Sequence, residues 1–175
     1  MRLSGYDIQA PMLSSGKMNE AEVLGASVWL WLHSSAHRDN PLFTLPTLLL
    51  PAIKRQQYAL ACRDGKPVLF LSWMWLNSEA EHRYLTEPHI HTRDEDWTSG
   101  DQLWLRDCIV PFGDVLSLRH LVTSVLFPQR CFRSLWHRGE SQGKCVINFR
   151  GAGVTPPQAR AWRGAHPLSA PLRQK

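Results

Sequence analysis

One stretch, Asp96 to Asp114, constrains the fold of this chain more than any other. It reads Asp96-Trp97-Thr98-Ser99-Gly100-Asp101-Gln102-Leu103-Trp104-Leu105-Arg106-Asp107-Cys108-Ile109-Val110-Pro111-Phe112-Gly113-Asp114. A polar turn with two acids runs into an apolar strand, and the centre of that strand carries a charged pair, Arg106 and Asp107. Side chains on a strand alternate between faces. Leu103, Leu105, Asp107 and Ile109 therefore share one face, and Trp104, Arg106, Cys108 and Val110 the other. An ionised carboxylate among Leu and Ile is costly to bury unless it is paired or hydrogen-bonded. Either the strand end opens into a cleft, or Asp107 has a cationic or hydrogen-bonding partner. Both options point to a site.

The rest of the chain supplies elements around this strand. Residues 1–18 read as a loose, flexible arm without periodicity. Asn19 is a helix N-cap with Glu22 as its capping-box partner, which predicts a helix from about Glu20 to His33. Leu24, Val28, Trp31 and Leu32 give it an apolar stripe. A polar turn follows, Ser34 to Pro41, and then a short helix through Leu45–Leu50 before Pro51. Tyr58–Arg63 and Pro67–Leu76 read as strands, with Asp64-Gly65 as a two-residue hairpin turn. A third strand is expected at His82–Leu85, then a loop over Thr86–Asp101, the strand Gln102–Val110, and a helix over Val115–Leu126. Phe132–His137 and Lys144–Arg150 read as two more strands joined by 138–143. The tail after Gly151 is rich in proline and reads as irregular. This order predicts an α+β fold with a mostly antiparallel sheet flanked by helices, arranged as one domain over 19–150 between the arm and a 151–175 tail.

Composition narrows the partners. The chain has 175 residues, eight of them Trp, and a net charge of +5. The basic balance favours an acidic partner. The basic residues form no stripe and match no nucleic-acid motif, so nucleic acid is not the expected one. The apolar runs are too short to span a bilayer, and the first 17 residues lack a signal-peptide core. The four cysteines, Cys62, Cys108, Cys131 and Cys145, form no C-x-x-C pair and read as reduced core thiols in a cytoplasmic protein.

Several residues carry candidate chemistry. His37, beside Ser34 and Ser35, is either a proton shuttle near neutral pH or an exposed turn histidine. Asp107 is either a site residue or the partner of Arg106 or another cation. Asp101 caps the turn before its strand, and Asp94, Glu95 and Asp96 read as a solvated loop. His89 and His91 have a spacing that can seat a metal in a strand, but no cysteine stands near them and no metal is expected. There is no glycine-rich phosphate loop, no G-x-S-x-G elbow and no Q/R-x-x-G-x-G/A loop for coenzyme A. Trp29, Trp31, Trp73, Trp75 and Trp104 either line an apolar groove or form core.

Taken together, several blocks resemble one family. They are Leu24-Gly25 with Trp29-Leu30-Trp31 and Ser34-Ser35-Ala36-His37-Arg38; Leu50-Pro51-Ala52-Ile53 with Gln57-Tyr58-Ala59-Leu60; Arg63-Asp64, Pro67-Val68 and Ser72-Trp73; and, most specific, Glu95-Asp96-Trp97-Thr98-Ser99-Gly100-Asp101 with Trp104, Asp107, Ile109 and Pro111-Phe112-Gly113-Asp114. Phe127-Pro128 and Phe132-Arg133 continue the pattern. The chain resembles the RTX toxin-activating lysine acyltransferases, cytosolic enzymes that mature haemolysin-type protoxins, over roughly residues 20–135. The resemblance implies a fold related to the GCN5-type N-acetyltransferases. It implies acyl-acyl-carrier-protein as donor, with no tightly bound cofactor, and internal lysines of an RTX protoxin as acceptor. It places the essential histidine on His37 and the essential aspartate on Asp107, and it implies a homodimer. An acidic acyl carrier protein would suit the basic balance.

The chain departs from the family pattern in an N-terminal extension, in Leu48 where a polar Asn is common, and in a short proline-rich C-terminus. Two other classes remain alternatives: a coenzyme-A-dependent N-acetyltransferase on the same fold, and a divergent, weakly active or non-catalytic toxin-binding homologue. On the family reading His37 is the base that deprotonates the acceptor lysine, and Asp107 orients it or stabilises its imidazolium form. An acyl-enzyme route through Ser34 or His37 is the mechanistic alternative.

Overall fold

The structure, a computed structural model, describes residues 1–3, 5–13, 18–136 and 145–174. Two strands, β1 (Arg2–Leu3) and β2 (Tyr6–Gln9), occupy the segment expected to be a loose arm. The signal is a period of two: Tyr6, Ile8 and Ala10 are buried, and β2 pairs antiparallel with β3 (Tyr58–Arg63). The helix α1 (Glu20–Leu32) starts as expected, with the Asn19 side chain accepting from Ala21 N and Glu22 N. Its buried face differs from the expected stripe. Val23, Ser27, Leu30 and Trp31 face inward, whereas Leu32 is 62% exposed. Ser27 completes that face because its hydroxyl donates to Val23 O at 2.7 Å, which removes the penalty for a polar group in the stripe.

Two short helices, α2 (Leu45–Leu48) and α3 (Leu50–Lys54), follow. Pro51 does not end the helical segment. It sits in the first turn of α3, where its missing N–H is no loss. Leu48 packs against the surrounding apolar core. β3 and β4 (Lys66–Leu76) form the expected hairpin. Asp64 and Gly65 both have positive φ, at 51° and 74°, as a type I′ turn requires.

The expected strand at His82–Leu85 is a helix instead, α4 (Ser78–Thr86). The Asn77 side chain caps it by accepting from Ala80 N, and it buries Ala80, Glu81 and Tyr84 at helical spacing. Two 3₁₀ turns, His89–His91 and Asp94–Trp97, interrupt the expected loop. β5 (Gln102–Ile109) follows, then α5 (Val115–His120), which passes into a π-helical turn at Leu121–Leu126. β6 (Cys131–Leu135) and β7 (Cys145–Arg150) pair antiparallel, and the expected connection 138–143 lies outside the described residues. The tail carries a further helix, α6 (Pro156–Ala165), and a final strand, β8 (Arg173–Gln174). Two of the prolines that suggested irregularity, Pro156 and Pro157, lie in the first turn of α6, and Thr155 and Gln158 form its capping box; Pro167 and Pro171 lie in the irregular stretch after it.

The result is α+β, with β1–β2, β2–β3, β3–β4 and β6–β7 antiparallel and β5–β6 and β7–β8 parallel. The chain divides into two compact units, and β4 and β5 each pass from one into the other. The first holds Met1–Trp73 and Asp107–Arg119, with a core that includes Val23, Leu30, Trp31, Leu49, Ile53, Tyr58, Phe70 and Ile109. The second holds Met74–Arg106 and His120–Lys175. Within the second, Gly100 donates its N–H to Trp75 O, and a Cβ there would overlap the backbone of Leu76 and Asn77. No helix among the described residues is long and apolar enough to cross a membrane.

Candidate active site

β5 places Asp107 as its alternation requires. Leu103, Leu105, Asp107 and Ile109 are all buried, and Cys108 is exposed. Arg106 and Asp107, which the sequence offered as possible partners, leave the strand on opposite faces. In the second unit the Arg106 guanidinium lies 5.5 Å from the centre of the Trp97 ring. In the first unit Asp107 meets Ser72 and His37. Ser72, at the centre of β4, donates its hydroxyl to Asp107 Oδ2 at 2.5 Å. Asp107 Oδ1 faces His37 Nε2 at 4.0 Å, an ion-pair distance.

His37 comes from the turn after α1. That turn is wound tightly: His37 N and Arg38 N both donate to Ser34 O. The winding puts the Ser34 side chain on the imidazole, with Oγ 2.7 Å from Nδ1. Trp31, buried on α1, packs its ring 5.4 Å from that of His37. The His37 side chain keeps 21% of its surface, against 6% for Asp107. The histidine is therefore the member of the pair that meets solvent, and the acid stands behind it.

The arrangement fixes what the ring can do. An ionised carboxylate only accepts, so the hydrogen of a neutral imidazole belongs on Nε2, facing Asp107. Nδ1 then carries the lone pair and accepts from the Ser34 hydroxyl. Ser34, His37 and Asp107 thus form a serine–histidine–carboxylate series with the two ring nitrogens exchanged relative to a serine hydrolase. It can take a proton at Nδ1, directly or through Ser34, and Asp107 can stabilise the imidazolium that results.

Other sequence candidates lie elsewhere. Asp101 is exposed at the start of β5. Asp96 is not a solvated loop acid. It is buried and takes a bidentate ion pair from Arg83, which raises the Arg83 pKa. His89 stacks on Tyr84 at 4.8 Å. Among the described residues no three His, Cys, Asp or Glu side chains gather as a metal site. Trp31, Trp73 and Trp104 are buried core, and Trp29 and Trp75 are half-buried. The four cysteines are free, and Cys145 alone is fully buried.

Sequence reasoning did not single out Ser72 for a role. It sits in an apolar run, and only the partnering of β4 with its surroundings reveals its acceptor. A second missed feature is a ring cluster in the same unit. Trp29 on the last turn of α1 and His33, its C-cap, meet Phe112 from the loop after β5, with the three ring centroids 4.2 to 5.5 Å apart.

The chain matches the RTX toxin acyltransferase family over residues 16–150. It is 42% identical over 141 residues to the RTX-I toxin-activating lysine-acyltransferase ApxIC of Actinobacillus pleuropneumoniae, covering 80% of each chain. It is 41% identical over 140 residues to the leukotoxin-activating lysine-acyltransferase LtxC of Aggregatibacter actinomycetemcomitans, covering 79% of this chain and 81% of that one. With a protein-lysine myristoyltransferase HlyC of Escherichia coli it shares 42% identity over 136 residues, covering 78% and 79%.

Proposed function

The chain belongs to the RTX toxin acyltransferase family, and we propose that it transfers a fatty acyl chain from acyl-acyl-carrier-protein to internal lysines of an RTX protoxin. The observation that carries this reading is the juxtaposition of His37 and Asp107, 70 positions apart in sequence and 4.0 Å apart in the fold. We assign to the α+β architecture the GCN5-related N-acetyltransferase class, and to the protein a cytoplasmic location and a homodimeric state.

A free lysine has a pKa of about 10.4 and is almost fully protonated at neutral pH, so it must lose a proton before it attacks. His37 Nδ1 takes that proton, and Asp107 stabilises the imidazolium. The lysine nitrogen attacks the thioester carbonyl, and the tetrahedral oxyanion collapses with cleavage of the carbon–sulfur bond. The proton held by His37 passes to the departing phosphopantetheine thiolate, and the second proton on the attacking nitrogen is lost to solvent as the neutral amide forms. The products are an amide on lysine and a free thiol on the carrier protein. Leu32, Leu42, Phe43, Phe112, Val115 and Leu116 are exposed apolar side chains on the segments that flank His37 and Asp107 in sequence. They supply the surface for the acyl chain that the buried tryptophans cannot. Phe112→Ala is expected to shift the preferred acyl length without unfolding the protein, as acyl-length series and melting curves would register.

The test is intact-mass analysis of a protoxin fragment incubated with this protein and acyl-acyl-carrier-protein. The expected result is a fatty-acyl gain mapped to lysine and absent with His37→Ala and Asp107→Ala. No gain with folded enzyme across a range of chain lengths would overturn the reading. The Ser34–His37 contact of 2.7 Å favours one second route, an acyl-Ser34 intermediate formed before lysine attacks. Enzyme mixed with donor alone would then gain the acyl mass on Ser34; absence of that adduct under fast quenching would exclude it.

A further inference from the structure

We propose that Ser72 is a positioning residue of the catalytic pair: its hydroxyl orients the Asp107 carboxylate so that the second oxygen faces His37. The inference rests on the acyl-transfer reading for its effect on rate. Ser72 is fully buried in β4 between Leu71 and Trp73, which are buried too, and it stands opposite Tyr58 of β3. A serine in such a run is worse than alanine unless its hydroxyl is partnered.

Among the described residues of this unit the other fully buried serine, Ser27, solves that locally, by donating to a carbonyl of its own helix four residues back. A strand offers no such acceptor, because its carbonyls are committed to the ladder. Ser72 instead donates across 35 positions of sequence to a carboxylate oxygen. At 2.5 Å the contact is at the short end for a hydroxyl bound to a charged acceptor. A hydroxyl has one hydrogen, so the bond has one direction: Ser72 donates and Asp107 accepts. It fixes rotation about the Asp107 Cβ–Cγ bond. With Oδ2 held, Oδ1 is presented to His37 Nε2. Ser72 touches neither the acceptor lysine nor the thioester and acts through Asp107. It therefore favours the Nε2–H tautomer, in which the Nδ1 lone pair, on the Ser34 hydroxyl, is the proton acceptor.

The experiment combines the His37 tautomer, read from ring ¹⁵N shifts of the full chain above the imidazole titration, with steady-state transfer kinetics. The variants are Ser72→Ala, Ser72→Thr, Asp107→Ala and the Ser72→Ala/Asp107→Ala double. Ser72→Ala should move His37 from the Nε2–H form toward a mixture. It should lower kcat by about 10- to 100-fold, the worth of one hydrogen bond to a charged group, and leave the KM for acyl-acyl-carrier-protein within about twofold of wild type. Ser72→Thr, which keeps the hydroxyl, should restore both. In the Asp107→Ala background Ser72→Ala should change neither.

A wild-type tautomer in Ser72→Ala, or the same fold-loss with and without Asp107, would overturn the proposal and leave Ser72 as packing. A tautomer moved by Ser72→Ala, together with a wild type that acylates no lysine, would instead overturn the acyl-transfer reading and leave the Ser72–Asp107 coupling standing. If Ser72→Ala melts early, Ser72→Cys fills the same space without a strong donor and takes its place.

Discussion

Glu81 in the second unit and Asp107 in the first are both acids buried among apolar side chains, and the two are treated differently. Glu81, in the second unit, is completely buried. It accepts from Arg133 Nη1 at 2.8 Å, Trp104 Nε1 at 3.0 Å and the Ser169 N–H at 2.9 Å. Arg133 in turn donates to Gln102 at 3.0 Å and lies 4.8 Å from the Trp162 ring. The permanent cation and the neutral donors close the carboxylate off. Asp107, in the first unit, has a serine on one oxygen and a partly exposed, titratable histidine facing the other. A saturated acid holds a fold together. An acid whose partner changes protonation can hold or release a proton on demand.

Substitutions separate these two roles. The largest effect is expected at the site: His37→Ala should lower acyl transfer by about 10³- to 10⁴-fold, the upper part of the range for general acid–base groups, with a melting temperature close to wild type. Glu81→Ala should do the reverse. It leaves Arg133 buried and unpaired, which costs about 3–5 kcal/mol of stability. Urea unfolding would show that loss, while any activity of the fraction still folded should remain. If Glu81→Ala abolished transfer in fully folded protein, the contrast between the two acids would be broken.

A smaller effect sharpens it. Burial pushes the Tyr58 phenol from 10.0 up to about 12. The folded state favours the neutral form, so this contribution to stability is whole below pH 10 and lost as pH rises through about 12. Tyr58→Phe should flatten the stability curve over that window in alkaline denaturation. It should leave transfer at neutral pH unchanged, because a buried ionisable group in the same unit as the site is not thereby part of it.

Local chemistry made much of the fold legible. Asn19 as cap, Asp64-Gly65 and the alternation of 103–109 each specify an element through its own backbone, and each stands as read, although Glu22 accepts from the Asn19 side chain rather than closing a capping box on its backbone N–H. The misses share a cause. In 78–86 the helix is announced by Asn77 as cap, but Glu81 masks its apolar face until Arg133 is seen to pair with it. In 156–165 the prolines masked a capping box. In Tyr6–Ala10 three buried residues were too short a period to outweigh Gly, Ser and Pro nearby. At the site, the strand pattern required Asp107 to have a partner but could not name one. Ser72 and His37 stand 35 and 70 positions away, and only tertiary structure selects them. The turn Ser34–His37 was local enough to read, and its hydrogen bond is the part of the site that sequence spacing alone places within reach.

The most direct measurement is the single-turnover rate of acyl transfer to a protoxin lysine for wild type and Asp107→Asn, taken with the melting temperature of each. A working carboxylate predicts a rate lower by about 10³-fold or more with a melting temperature within a few degrees of wild type. A rate within tenfold of wild type, or a loss of activity that only follows unfolding, would make Asp107 a second structural acid like Glu81 and would contradict the account.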